Sequence, residues 1–137
     1  MSNNGQNSYG VSYSVISWLE RALKTHRNIS SVSRYEDIIF DVTRTNQDDR
    51  LIIFCANEYV CGTTFVQHVL TDFPKCNIIS VGGGWNGYTS EAKNFCLAAK
   101  IGLFVSDELM GALYKDKYWK YVQKDPKREP ILHYRTT

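Results

Sequence analysis

Apolar residues recur three and four apart at Val15, Trp18, Leu19, Ala22 and Leu23, so the spacing predicts an amphipathic helix over 13–25 with Ser12 or Ser14 as its N-cap. Two β-rich stretches follow, Tyr35 to Arg44 and Leu51 to Val60, joined through the turn-forming Asn46-Gln47-Asp48-Asp49 as a hairpin. After Gly62 and Thr63 the helical spacing returns in Phe65, Val66, Val69, Leu70 and Phe73 and stops at Pro74. Asn77 to Val81 is a short β-branched run that reads as a buried strand. Beyond a glycine cluster, Thr89 caps a helix whose buried face is Ala92, Phe95, Cys96 and Ala99. Ile101 to Val105 is a further strand, and Ser106 caps a last helix with Asp107 and Glu108 in its first turn. The order α-β-β-α-β-α-β-α predicts a three-layer α/β/α domain, with an antiparallel hairpin continued into parallel strands by right-handed crossovers.

Length and composition fit one such unit. The chain has 137 residues with 43% hydrophobic and 13% aromatic content, enough for a single continuous core. We expect residues 1–11 to form a disordered polar tail, 12–122 the domain, and 123–137 a basic C-terminal tail. No apolar run approaches the ~20 residues that cross a bilayer, and the first residues have no signal-peptide pattern, so an intracellular, cytoplasmic protein is expected. Cys55, Cys61, Cys76 and Cys96 form no C-x-x-C pair, and His26, His68 and His133 are far apart. The cysteines read as reduced and structural, and no metal site is expected from spacing.

Charge is unevenly spread. The total is +2, yet residues 115–137 hold seven cations against three carboxylates, a net of +4. The same segment carries Tyr118, Trp119, Tyr121 and Tyr134, with Tyr114 just before it. Basic residues interleaved with aromatics suit a phosphate backbone or stacked bases, and a solvated helix packing its aromatics on the core fits as well. Candidate phosphate contacts are Arg44, Lys93, Lys115, Lys117, Lys120, Lys124, Lys127 and Arg128.

A second constellation lies in Gly82-Gly83-Gly84-Trp85-Asn86-Gly87. Gly82-x-Gly84-x-x-Gly87 satisfies the dinucleotide fingerprint after a strand, and Asp107 lies twenty residues beyond Gly87. Against nucleotide binding, the Thr89 cap starts the helix after the motif, Trp85 is bulky, and Asp107 already suits a helix first turn. Gly82, Gly83, Gly84, Trp85 and Gly87 stand as a candidate phosphate loop, with Trp85 either an exposed stacking residue or a core plug.

The stretch Asn77 to Leu113, NIISVGGGWNGYTSEAKNFCLAAKIGLFVSDELMGAL, resembles the C-terminal half of Mrr-type domains of the restriction endonuclease-like PD-(D/E)XK superfamily. The upstream elements fall in the family's order over roughly residues 12–114. The resemblance implies an Asp opening the first long strand and a Glu-x-Lys or Gln-x-Lys on the second, holding Mg²⁺ and a water near the scissile phosphate. Asp37 stands at the first position, with Asp41 as fallback. Phe54 and Ala56 occupy the second motif, and a shift by two recruits Glu58 but puts Val60 in place of the lysine. Gln67 matches a glutamine the family often has on the next helix.

The expected function is therefore a catalytically degenerate module that binds nucleic acid, DNA by the resemblance, or serves assembly as a homo-oligomer or subunit. The alternatives are an Mg²⁺-dependent nuclease built on Asp37, Asp41 and Glu58, and a nucleotide-binding domain using the glycine loop.

Overall fold

The structure is a computed structural model that describes residues 4–136. Its centre is a five-stranded mixed sheet in the order β1-β2-β3-β5-β7. Strands β1 (Ile29–Tyr35), β2 (Ile39–Arg44) and β3 (Asp49–Cys55) form an antiparallel meander. Strands β5 (Ile78–Ser80) and β7 (Gly102–Phe104) add to β3 in parallel. Helix α1 (Tyr13–Thr25) precedes the sheet, α2 (Thr63–Asp72) and α3 (Ser90–Ala98) make the parallel crossovers, and α4 (Ser106–Ala112) follows β7. Two short strands, β4 (Val60–Cys61) and β6 (Gly87–Tyr88), pair separately.

Helices cover both faces of this sheet. Phe54 packs on Phe65 and Phe73 at α2, with ring centroids 6.3 and 5.6 Å away. Its neighbour Cys55 lines a cavity walled by α1. Successive strand side chains point to opposite faces, so α1 and α2 lie on opposite sides. His26 Nε2, just past α1, hydrogen-bonds the Met110 carbonyl of α4 at 2.8 Å and ties those two helices together. Apolar side chains from both faces, among them Ile16, Leu23, Ile53, Ile79 and Leu109, are fully buried. No helix among the described residues is long and apolar enough to cross a membrane.

The structure differs from the expected elements at several points. The stretch Tyr35–Arg44 is not one strand: β1 ends at Tyr35, and Glu36 and Asp37 turn the chain with φ of 51° and 67° before β2 begins. Strand β1 itself goes unread because it is a sheet edge, and Ser30, Ser31 and Ser33 are exposed, which leaves no apolar alternation. The last helix is capped by Glu108, whose Oε1 accepts the Val105 N–H at 2.9 Å, while the Ser106 hydroxyl donates to Gly82 O at 3.0 Å.

Both presumed tails are docked. Asn7 Oδ1 accepts the Tyr9 and Val11 N–H groups, and the Tyr9 ring sits 4.8 Å from Phe54, its hydroxyl donating to Asp72 at 2.6 Å. Residues 1–3 lie outside the described residues. At the other end β8 (Gln123–Lys124) and β9 (Pro130–Ile131) form a hairpin, and His133 O and Arg135 N bond the backbone of Tyr88. One aromatic anchor in a polar stretch is too sparse a pattern to register as structure.

Candidate functional site

The place where the family resemblance puts a cation-holding pocket is the end of β3 beside the turn into β2, since Cys55 N bonds Ile38 O. Asp37 stands there, fully enclosed. Its carboxylate accepts the Asn4 N–H at 2.7 Å, the Gly5 N–H at 2.8 Å, the Asn7 amide at 2.9 Å and Arg34 Nη1 at 2.7 Å. Burial pushes its pKa up, but the Asn7, Gly5 and Asn4 hydrogen bonds and the Arg34 charge outweigh burial and hold the carboxyl below its ordinary value. Asp37 thus anchors the N-terminal strap.

The other two carboxylates stand apart from it. Asp41 lies inside β2 and is ion-paired with Arg50 across the hairpin. Glu58 follows β3, its N–H bonded to Val81 O, and burial raises its carboxyl pKa. Phe54 is locked in the Tyr9, Phe65 and Phe73 cluster, and Ala56 brings no donor. Among the described residues no group of three or more His, Cys, Asp or Glu side chains is placed to hold a metal ion. These residues do not fit Mg²⁺.

The glycine loop divides in two. Gly82 needs its glycine: φ is +109°, and a Cβ there would meet Asn86 Nδ2 at 2.5 Å. The Asn86 amide in turn donates to Val81 O and Asn57 Oδ1, both at 2.7 Å. Gly82, Gly83 and Gly84 line a cavity of about 370 Å³ between α1 and the carboxyl ends of the parallel strands, which Asp107 also lines. Gly87, by contrast, is part of β6, and the space beside its Cα is filled by His133 O. Helix α3 begins only at Ser90, with Thr89 Oγ1 accepting Ala92 N at 3.1 Å. The fingerprint's third glycine is therefore covered, and Trp85 points outward, 86% exposed.

The basic candidates separate sharply. Arg44 is only 1% exposed: its Nε and Nη2 take both oxygens of Asp49 at 2.8 and 2.7 Å, and Nη1 takes Lys115 O at 2.6 Å. Lys93 is buried, donating to Leu103 O at 2.7 Å and lying 4.3 Å from the Phe104 ring centroid. Burial lowers its pKa, and Glu108 opposes that. Neither cation is presented to a phosphate. Lys115, Lys117, Lys120 and Lys124, however, are exposed around one concavity with Tyr121 and Val122, whose single acid, Asp116, accepts Gln47 Nε2 at 3.0 Å. Lys127 and Arg128 sit on the β8–β9 turn, which Asp125 holds by accepting Lys127 N and Glu129 N at 2.9 Å.

Asp37 gives the strap a pH dependence. Because its folded pKa is depressed, the stability it contributes is present above the unfolded carboxyl value of about 3.9 and is lost as pH falls through the lower folded value. Acid titration followed by circular dichroism is expected to show wild type and Asp37→Asn converging in stability at low pH and diverging above pH ~4. A constant offset at all pH values would contradict the role of the charge.

No family model, no curated protein and no solved structure matches the chain.

Proposed function

We propose that this is a restriction-endonuclease-like three-layer domain that no longer cleaves by the family's metal-dependent route and instead binds DNA through the lysine cluster following α4. The element order supports the fold reading: one helix, an antiparallel meander, then parallel strands joined through helices. One observation carries the function: Lys115, Lys117, Lys120 and Lys124 surround a single concavity. Four ammonium groups against one carboxylate create a net positive field, and Tyr121 beside them offers an aromatic surface. The use of Asp37 as an anchor, and the aromatic at Phe54, support loss of cleavage.

The test is fluorescence anisotropy with a short labelled DNA duplex. Four phosphate contacts correspond to a slope of log affinity on log salt of about −3.6, hence on the order of a 100-fold loss between ~50 and ~200 mM salt. Salt-independent binding, or none at low salt, overturns the reading. An RNA duplex run in parallel reports which polymer is preferred. With Mg²⁺ added the DNA is expected to stay intact, and cleavage by the wild type that disappears in Asp37→Asn under conditions where that variant is folded would restore the nuclease reading.

A further inference from the structure

We infer that the cavity of about 370 Å³ between α1 and the carboxyl ends of β3, β5 and β7 is a binding site for an uncharged nucleoside. It shares no lining residue with the lysine concavity and does not rest on the DNA-binding reading. Ligands of α/β sheets lie outside the carboxyl ends of the parallel strands, and this is the described cavity at those ends, lined by Cys55 of β3, Ser80 of β5 and Ser106, two residues past β7. Its volume is at the small end of the ~300–1,000 Å³ that ligand sites occupy, which suits a single base with its sugar.

The lining identifies the chemistry. Val15, Trp18 and Leu19 make an apolar wall on α1, and Trp18, 45% exposed, offers an indole for a planar ring. Ser80, 3% exposed, lines the cavity at the carboxyl end of β5. Its hydroxyl can donate to or accept from a ligand amide or hydroxyl. Burial pushes the Cys55 thiol up to about 12, so it lines the cavity as a neutral thiol. Asp107 is the one charged lining residue and accepts hydroxyls, as a ribose diol provides. No lysine, arginine or histidine lines the cavity, so a phosphorylated ligand would face Asp107 without a counter-ion. That selects the nucleoside over the nucleotide.

Titration of the full chain with adenosine, guanosine, cytidine and uridine, followed by protein amide NMR shifts, tests this. At least one nucleoside is expected to saturate and to shift resonances of Val15, Gly83 and Asp107. Its 5′-monophosphate is expected to bind roughly tenfold more weakly, and Asp107→Asn to narrow that gap. Trp18→Ala is expected to weaken the nucleoside about tenfold, and Ser80→Val to weaken it while a thermal melt confirms that both variants fold. Absence of saturation by all four nucleosides overturns the inference. So does a monophosphate binding as tightly as its nucleoside, or binding unchanged in folded Trp18→Ala and Ser80→Val. Changing Lys115, Lys117, Lys120 and Lys124 together to Glu is expected to leave nucleoside binding unchanged, which separates this site from the DNA surface.

Discussion

Replacing Asp37 by alanine is expected to destabilise the fold by about 3–5 kcal/mol, the range for removing one partner of a buried ion pair. The change strips Arg34 Nη1 of its 2.7 Å partner and leaves the Asn4 and Gly5 N–H groups and the Asn7 amide without their acceptor. For a chain of this size that corresponds to a melting temperature lower by roughly 10 °C or more. The loss is expected to begin locally. With the strap released, Tyr9 leaves the cluster of Phe54, Phe65 and Phe73, so amides of residues 7–11 should exchange faster than those of β3 under native conditions. Asp37→Asn keeps the shape and part of the hydrogen bonding but not the charge, and is expected to fall between alanine and wild type. An alanine variant as stable as wild type would mean that the carboxylate is not an anchor, and would return it to the list of reactive groups.

That role could not be read from residue type alone, because an acid opening a strand in a nuclease-like order looks catalytic until its neighbours are known. The distinguishing partners come from more than 30 residues upstream, at Asn4 and Gly5. Where packing follows a regular period the chain states its structure openly: 13–25 is helical, and β5 and β7 lie inside the predicted apolar runs, whereas the run Leu51–Val60 splits into β3, which ends at Cys55, and the separate β4 at Val60–Cys61. Edge position hid β1, since its serines face water.

Two of the expected phosphate-binding cations are buried, and the sequence holds the reason for each. Lys93 stands three residues before Cys96 and one after Ala92, on the buried face of α3, where spacing alone argued against solvent. Arg44 and Asp49 flank the hairpin turn as register partners, so their pairing follows from the turn. The cavity had no such signal, because its walls come from α1, three strand ends and α4, separated by most of the chain.

Changing Lys115, Lys117, Lys120 and Lys124 together to glutamate is expected to abolish DNA binding, a loss of at least about 100-fold at low salt, because the reversal replaces counter-ion release by repulsion. The fold should not suffer. All four side chains are exposed, surface substitutions of this kind stay within about 0.5 kcal/mol each, and the bond from Arg44 to residue 115 uses the backbone carbonyl. A milder series isolates the mechanism: each single Lys→Gln change is expected to reduce the salt slope by about 1 while leaving sequence preference unchanged. Lys127→Gln with Arg128→Gln, on the hairpin turn beyond the concavity, should have a smaller effect. Arg44→Ala provides the contrast, since Arg44 is enclosed and paired with Asp49: it should lower stability first and lose DNA binding only where the protein unfolds. If the four-glutamate variant binds DNA as wild type does, the concavity is not the interface. If Arg44→Ala loses binding while fully folded, the cation contacts must lie at the hairpin end of the sheet instead.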